Sequence, residues 1–451
     1  MIGQLSVIWQ HVRLGIWLAA GTITVLAAHA QKSLPVAPEP DKSVRERVLS
    51  TRFPSKPSLP PAYSIPVEPL GFSAPGPLYL GQRNSVASLD FLDEDRLLFT
   101  FRVPGLLRRQ AGEDDQRQIR AVVLRVSTGA VEAQALWTLH DRARYLWMLA
   151  DGHFLLRDNN ALQMGDASLA LKPFLTFPGS LLSVDLNPSE QLLVTNSREP
   201  VKTATPGAQS ASSEAGSSAK STGADSGQEN QPASGVPDLV LRVLNRRSGE
   251  VKFVHRVRQL TRLAINSTGY LEDLQGNGDE WLVSLSDLSG GSTILSRIRS
   301  SCAPAEEFIS ENEALVTSCS SGGEDRLLAI TTGGRTLWDD LASAAEVWPL
   351  LVMAPNGLRL ARETLEAPRA VTAFTPLDTD DIKGQAVRVF DAATGEVVLE
   401  TPVSPVLDAG GNVAFSPSAR RVAVVNGGAV QVFDLAEPPP LPSSATFEPS
   451  H

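Results

Sequence analysis

Apolar and polar residues alternate along most of this chain in short runs that end at turn residues. One recurring unit is an apolar strand, a turn of two to four residues containing Pro, Asp, Asn or Glu, and a second apolar strand. Alternation with a period of two and a high content of Val, Leu and Thr are typical of β-strands. The unit occurs seven times, beginning at Ser88, Trp147, Ser183, Arg262, Glu307, Leu351 and Asn412.

A second unit follows the first in most copies, and it consists of a strand, a Gly-containing turn and another strand. "AVVLRVSTGAVEAQALW" and "AVRVFDAATGEVVLETPV" are clear examples, in which the Thr-Gly pair marks a hairpin. Ser267, Glu311 and Pro355 occupy comparable turn positions at steps of 44 residues. Two hairpins per step predict four strands per repeat. A parallel α/β fold is disfavoured, because no segment shows a convincing 3.6-residue apolar period over twelve residues.

Four-stranded sheets at a period of about 40 to 45 residues are the sequence pattern of propeller blades. A small sheet exposes two apolar faces, so neighbouring copies have to stack until a ring closes. The sequence therefore predicts an all-β fold, a seven-bladed β-propeller of four-stranded antiparallel blades over residues 63–436. The last copy supplies only three evident strands, so we expect residues 62–73 to provide its fourth strand and close the ring.

Parts of the repeats resemble a known family. "VRVFDAATGEVV", "VQVFDL" and "VAFSPSARRVAVV" are similar to strand and turn portions of Trp-Asp repeats, although the Trp-Asp dipeptide itself occurs only at Trp338-Asp339. Over roughly residues 80–435 the chain resembles bacterial secreted propellers with degenerate Trp-Asp-repeat-like or quinoprotein-like blades. The resemblance implies the fold and hardly restricts the function.

The first thirty residues have the pattern of a signal peptide. A weakly basic start leads into an uncharged apolar run from Leu14 to Ala28, which ends in Ala28-His29-Ala30. We expect a secreted or periplasmic protein after cleavage near Ala30. The alternative is an uncleaved N-terminal membrane anchor, although the run is short for the roughly 30 Å of a bilayer core.

Three segments have compositions that disfavour a packed core. We expect a Pro-rich disordered tether at residues 31–62, a disordered insertion at 198–236 that is mostly Ser, Ala, Gly, Gln and Thr, and a disordered tail at 437–451.

Three long insertions, at residues 103–119, 197–236 and 363–384, each fall between the second and third strands of a predicted blade. In a propeller these connections emerge on one face, and loops on a rigid scaffold commonly carry binding. The alternative is that they are tolerated surface loops, because the entropy of loop closure grows slowly with length.

The charge and the cysteine content restrict the possible binding partners and covalent links. The net charge is −10, and removal of residues 1–30 takes away one Arg and no acid, which leaves 39 basic and 50 acidic residues. This balance disfavours a general nucleic-acid-binding surface. Cys302 and Cys319 are expected to form a disulfide, because "CAPAEEFIS" and "ALVTSC" read as two strands around the turn "ENEA" and their pairing brings the cysteines together. A redox-active pair is the alternative, but the separation of 17 residues is unlike Cys-x-x-Cys.

The search for reaction chemistry is mostly negative, and we predict no catalytic residue and no cofactor. The nucleophile elbow, the zinc-protease motif and both nucleotide-binding glycine motifs are absent from the sequence. His140, His153 and His255 fall in different blades. Five tryptophans could be sugar-stacking platforms, although packing between blades is favoured; they are Trp137, Trp147, Trp281, Trp338 and Trp348.

Two acidic loops are weak candidates for a metal site. One contains Asp273, Asn277 and Asp279, and the other contains Asp378, Asp380 and Asp381. The first departs from a calcium-binding loop at its third and twelfth positions, so an Asn-Gly hairpin turn is the favoured alternative. The second reads better as a solvated loop.

Two functions remain open. The first is an exported binding or scaffolding module, a monomer without a membrane span in its mature chain, which holds another protein or an extracellular polymer on the face that bears the insertions. The second is a propeller enzyme, such as a quinone-dependent dehydrogenase, lactonase or lyase, with its site in the central channel.

Overall fold

The computed structural model describes residues 59–73, 87–103, 117–140, 144–199, 238–287, 290–320, 325–342, 346–367, 382–403 and 412–437. Their strands form seven antiparallel sheets, which are the blades of the predicted propeller. The predicted leader and tether (except for residues 59–62) and all of the predicted tail except Glu437 lie outside the described residues. In the part of the chain that is described, no helix has the length and apolar character needed to cross a membrane.

The chain enters the ring with strand β1 (Tyr63–Pro66), which is followed by a short 3-10 helix (Glu68–Leu70). Blade 1 contains β2 (Ala87–Phe91), β3 (Arg96–Arg102), β4 (Arg117–Arg125) and β5 (Val131–Leu139). Blade 2 contains β6 (Leu146–Met148), β7 (Phe154–Asp158), β8 (Ala161–Gly165) and β9 (Lys172–Thr176). Blade 3 contains β10 (Ser180–Leu186), β11 (Leu192–Glu199), β12 (Asp238–Asn245) and β13 (Val251–Val257).

The second half of the ring repeats this order. Blade 4 contains β14 (Gly269–Gln275), β15 (Glu280–Asp287) and β16 (Ser292–Arg299). Blade 5 contains β17 (Ala305–Ser310), β18 (Glu313–Cys319), β19 (Asp325–Thr331) and β20 (Thr336–Leu341). Blade 6 contains β21 (Glu346–Met353), β22 (Arg359–Glu366), β23 (Gly384–Asp391) and β24 (Val397–Val403). Blade 7 contains β25 (Val413–Phe415), β26 (Arg421–Asn426) and β27 (Ala429–Asp434).

Blade 4 has three full strands, and a short segment takes the place of its innermost strand. Ile265 forms a single bridge with Tyr270. The Leu271 amide donates to the Ala264 carbonyl at 2.9 Å, and the Asn266 amide donates to the Gly269 carbonyl at 2.9 Å. This is the repeat copy whose apolar pattern is weak in the sequence.

The period-two pattern of each strand serves two interfaces. In β3, Leu97 and Phe99 pack against blade 7, whereas Leu98 packs against blade 2. In β26, Val422 and Val424 face blade 6, and Ala423 faces blade 1. Seven buried apolar clusters result, one between each pair of neighbouring blades. Among the described residues, the buried apolar core is therefore this set of interfaces, and none of its clusters is confined to one blade.

The expected ring closure is confirmed, with a shorter strand than the predicted segment. β1 pairs antiparallel with β27 and becomes the outermost strand of blade 7, so that Tyr63 lies opposite Val432 and Pro66 lies opposite Ala429. The chain then turns at Gly71, whose φ of 90° favours glycine. This turn places Phe72 edge-to-face against Phe99 of blade 1, with ring centroids 5.3 Å apart.

The insertions occupy the predicted connections, but their predicted bounds are partly wrong. Residues 117–119, 197–199, 363–366 and 384 belong to strands. The strands extend further than predicted because polar residues continue the ladder: Glu363, for example, is buried and pairs with Val387. The segments between these strands lie outside the described residues, apart from a few positions at their ends.

We predict that a chain beginning at Gly76 is less stable than one beginning at Leu59. It loses β1 together with the burial of Ile65, Val67 and Phe72, which are almost fully inaccessible to water. Each such side chain contributes about 1.5–3 kcal/mol, so we expect the Tm to fall by roughly 5 °C or more. Differential scanning calorimetry of the two chains measures this, and equal Tm values would refute the role of β1.

Candidate functional site

The two faces of the ring differ in the connections they carry. Every innermost strand begins on the face where second-to-third-strand and blade-to-blade connections emerge, and we call this the insertion face. The first hairpin turn of each blade lies on the opposite face, which we call the turn face. The three long insertions follow β3, β11 and β22, so all three leave the ring on the insertion face.

The predicted disulfide is confirmed, and it lies on the insertion face of blade 5. The Cys302 and Cys319 sulfurs are 2.04 Å apart. Cys302 precedes the innermost strand β17, and Cys319 ends the neighbouring strand β18. The Ser300 hydroxyl accepts a hydrogen bond from the Cys319 amide at 3.0 Å and donates to the Cys302 carbonyl at 2.6 Å. The bond therefore ties the start of an innermost strand to its blade.

Charged residues of alternating sign lie on or just before the innermost strands of blades 1 to 5, which are the strands next to the central channel. Blades 1 to 5 each contribute one residue on or just before the innermost strand, and we call the set the channel ring: Asp90, Arg144, Asp185, Arg262 and Glu307. Arg262 Nη2 lies 3.4 Å from Glu307 Oε1. Glu307 also interacts electrostatically with Arg144 of blade 2, which it can approach only across the centre of the propeller.

The channel acids are held in an environment that disfavours their charge. Burial raises the pKa of Asp90 to about 6, although a 2.6 Å hydrogen bond from the Ser88 hydroxyl and the nearby Arg144 oppose the shift. Burial likewise raises the pKa of Asp185 and of Glu307, and Arg262 and Arg144 oppose it in both. With a pKa of about 6, the Asp90 carboxyl exchanges its proton close to neutral pH.

Aromatic contacts support the blade 2 part of the ring. The Arg144 guanidinium lies 5.3 Å from the centre of the Trp147 ring, and its Nε donates to the Leu146 carbonyl at 3.1 Å. The neighbouring Tyr145 is buried, and its hydroxyl lies 2.7 Å from the Thr100 hydroxyl of blade 1. The first two contacts restrict the conformation of the Arg144 side chain. The Tyr145–Thr100 hydrogen bond joins blades 1 and 2 next to it.

Trp147 and the other described tryptophans pack between or within blades. Trp137, Trp147 and Trp338 are buried. Trp281 is half-buried, and its indole nitrogen donates to the Ser300 carbonyl at 3.1 Å. The packing interpretation is confirmed for these four residues, whereas the side chain of Trp348 lies outside the described part.

Only one of the two acidic loops lies within the described residues. Asp273 lies in β14 opposite Val283, and Asn277 and Asp279 lie in the turn between β14 and β15, so the expected hairpin is confirmed. Asp378, Asp380 and Asp381 lie outside the described residues. Within the described ranges, no three His, Cys, Asp or Glu side chains lie close enough together to hold a metal ion. Metal binding at either loop stays a prediction that this structure does not test.

The three histidines are on separate elements. His140 Nδ1 lies 2.9 Å from Asp158, His153 Nδ1 lies 3.2 Å from Asp151, and His255 stacks on Phe253 in β13. None of them is part of the channel ring.

A second charged cluster lies between blades 5 and 6. The Arg362 side chain is only 1% exposed, and its guanidinium lies 3.5 Å from Glu346 and 3.8 Å from Asp340. Burial lowers the pKa of Arg362, and these two carboxylates oppose the shift. Arg388 lies opposite Arg362 in the ladder and donates to Glu346 at 2.5 Å. Arg362 and Arg388 thus both pair with Glu346, whose side chain is buried. The cluster links the start of β21 to β22 and β23, the middle strands of blade 6.

Carboxylates join the blades on the turn face. Glu311 of blade 5 accepts hydrogen bonds from the Ser267 amide of blade 4 at 2.7 Å and from the Ser189 amide of blade 3 at 2.9 Å. Glu94 accepts the Ser418 amide at 2.6 Å. Ser267 and Glu311, which are one 44-residue step apart in the sequence, are therefore in direct contact. Burial alone would raise the pKa of Glu311, but these hydrogen bonds outweigh it and lower the pKa.

Sequence reasoning missed both the channel ring and these turn-face bonds. One signal was available for the ring: Asp90 and Asp185 occupy equivalent positions in the repeat copies "SLDF" and "SVDL". A charged residue inside an otherwise apolar strand is costly unless water or a partner reaches it, so these two acids could have been assigned to the channel.

No family model matches the sequence, and no curated protein matches it. Solved structures with a similar arrangement include an acylaminoacyl peptidase of Pyrococcus horikoshii, at 11% identity and a TM-score of 0.43, covering 75% of this chain and 48% of that one. Another is the β-propeller domain of the Trilobed protease of Pyrococcus furiosus, at 9% identity and a TM-score of 0.41, covering 81% and 99%. A chain of a mitotic checkpoint complex matches at 10% identity and a TM-score of 0.42, covering 91% and 99%. The present chain spans about half of the peptidase chain.

We predict that Asp90→Asn stabilises the protein at pH 7 and not at pH 4. The folded state raises the pKa of Asp90 from 3.8 to about 6, so wild-type stability falls as the pH rises through this window and the variant avoids the loss. One pKa unit corresponds to about 1.4 kcal/mol, which gives a gain of at most about 3 kcal/mol at pH 7. Urea denaturation at the two pH values measures it, with Asp151→Asn in an exposed turn as the control. A gain that is the same at both pH values would contradict the assignment.

Glu311→Gln is expected to have the opposite pH dependence. The lowered pKa of Glu311 means that its charge stabilises the fold above pH 5, and this contribution disappears as the pH falls below its usual range. The variant should lose about 1–3 kcal/mol at pH 7, because the hydrogen bonds to a charged acceptor become neutral ones. The matched control is Glu250→Gln at an exposed ion pair. Equal effects of the two substitutions would show that the turn-face bonds do not stabilise the ring.

Proposed function

We propose that this chain is an exported, non-enzymatic binding module that holds another protein or an extracellular polymer on its insertion face. The observation that carries this proposal is the shared position of the three insertions, which all connect the second and third strands of blades 1, 3 and 6. Insertions scattered at random among the connections would fall on both faces. Their restriction to one face is what selection for a common contact surface produces.

The charges of the channel ring also favour the insertion face as the binding surface. Arg144, Arg262 and Glu307 lie at or near the start of their innermost strands, and those starts are at the insertion face. A partner seated over the channel on this face would meet both positive and negative groups. Such a pattern contributes to the specificity and orientation of binding more than to its affinity.

The rest of the ring supplies the rigidity that such a surface needs. Carboxylate bonds hold the turn face, and the Cys302–Cys319 bond holds blade 5 beside the channel mouth. A disulfide also suits an oxidising compartment, in agreement with the proposed export. A rigid scaffold loses little conformational entropy on binding.

The enzyme alternative would use the same channel, with Asp90 as an acid or base near neutral pH. The content of bound quinone or metal in the purified protein distinguishes the two proposals. Quinone or metal recovered with it by mass spectrometry, at close to one equivalent, would favour the enzyme.

The binding proposal predicts that shortening the insertions removes the partner and leaves the fold intact. Residues 104–116 and 368–381 are each replaced by Asn-Gly, which suits short hairpin turns between the paired strand ends. We expect Tm to change by less than about 3 °C and capture of the protein's partner from the exported fraction to fall at least about tenfold. Thr128→Lys on the turn face is the control. If capture is unchanged in the shortened variant, or lost equally in Thr128→Lys, the insertion face is not the binding surface.

A further inference from the structure

The outermost strand of blade 3 leaves large apolar side chains in water. In β13, Val251 is 46% exposed, Phe253 is 43% exposed and Val254 is 52% exposed. β13 pairs with β12 along one edge only. Its other edge presents backbone amide and carbonyl groups outward, which is the geometry that accepts an added strand.

The other outermost strands bury more of their residues. Among those that the structure describes, β1, β5, β16, β20 and β24 each contain at least one buried residue. β9 contains none, but its Phe174 and Leu175 are half-buried. β13 alone has no buried residue and three exposed large apolar side chains.

The charge around β13 is positive in a chain whose net charge is −10. No acidic residue occurs between Glu250 and Glu272, whereas Lys252, Arg256 and Arg258 lie in this stretch. Lys252 forms an ion pair with Glu250 at 2.9 Å, but both side chains are exposed, so the pair contributes little and can be exchanged for another.

The two faces of β13 differ in chemistry. Phe253 and His255 share one face and stack with ring centroids 6.0 Å apart. Val254 and Arg256 are on the other face, since neighbouring residues of a strand alternate. An added strand would therefore contact an aromatic face and a basic, aliphatic face.

We propose that β13 is the docking edge for an extended segment of another protein in which apolar and acidic residues alternate. The segment adds a fifth strand to blade 3 by main-chain hydrogen bonds. Its apolar residues lie on the aromatic face against Phe253, and its carboxylates lie on the opposite face beside Val254, near Lys252 and Arg256. This surface is the outer rim of the ring, so it is separate from the insertion face.

The observations disfavour occupants from this protein itself. Two β13 strands of separate copies would bring basic residues together, which is a common protection against edge-to-edge pairing. Residues 200–237 contain acids but no Leu, Ile or aromatic residue, and residues 438–451 are interrupted by prolines that cannot donate to a ladder. Residues 41–53 contain no proline, but they carry four basic and two acidic residues, so their charge does not complement β13.

The test uses a fluorescein-labelled ten-residue peptide of alternating valine and glutamate, titrated with the full chain and followed by anisotropy. We expect saturable binding that is at least tenfold weaker in two cases: when lysine replaces glutamate in the peptide, and when the protein carries Phe253→Ser with Val254→Ser. Val131→Ser with Leu136→Ser on the edge strand β5 is the matched control and should leave binding unchanged. Hydrogen exchange should slow in residues 251–257 when the Val-Glu peptide is present.

Four outcomes would overturn the proposal. They are no saturable binding of the Val-Glu peptide, equal binding of the lysine peptide, equal loss in the β5 control, and concentration-dependent dimers in sedimentation that vanish in the Phe253→Ser, Val254→Ser variant. The last would assign the edge to a second copy. Because the protein with shortened insertions should still bind the peptide, failure here is distinguishable from failure of the insertion-face proposal.

Discussion

Each blade of this protein has two apolar faces and can cover neither of them alone. Consecutive residues of one strand enter different clusters, as Leu97 and Leu98 do on either side of β3. Stability therefore resides in the interfaces, and an open stack would leave one apolar face of each end blade in water. The pairing of β1 with β27 removes this exposure by making one blade from both ends of the chain.

Closure of the ring also decides where chemistry can occur. The faces of the blades are filled by packing, so polar groups collect at the channel, at the two ends of the ring and along its rim. At the channel, acids and arginines alternate from blade 1 to blade 5, and burial raises the pKa of the acids. At the turn face, carboxylates such as Glu311 accept hydrogen bonds from backbone amides of other blades. The insertions lie at the opposite end of the ring.

The rim presents a different physical problem, because a closed ring still leaves seven outer strand edges. Partial burial of their side chains protects most of them. In β13 the protection comes from basic side chains, which repel an identical strand and attract an acidic one. The same basic side chains of β13 can therefore prevent self-association and select an acidic partner.

The sequence by itself determined the local structure and its repetition. Period-two alternation placed the strands, and Thr-Gly and Asn-Gly pairs marked the hairpin turns. The 44-residue step indicated the blade, and the predicted hairpin between Cys302 and Cys319 indicated the disulfide. Strand ends were less certain, because residues such as Glu363 extend the ladder without an apolar side chain. Only the tertiary structure decided which distant residues meet. Glu94 and Ser418 are 324 positions apart and form a hydrogen bond because the ring closes there. The channel ring likewise depends on five blades being held at one centre. The equivalent positions of Asp90 and Asp185 in the repeat copies indicate two of its members, but the sequence does not show that they lie near Arg144, Arg262 and Glu307.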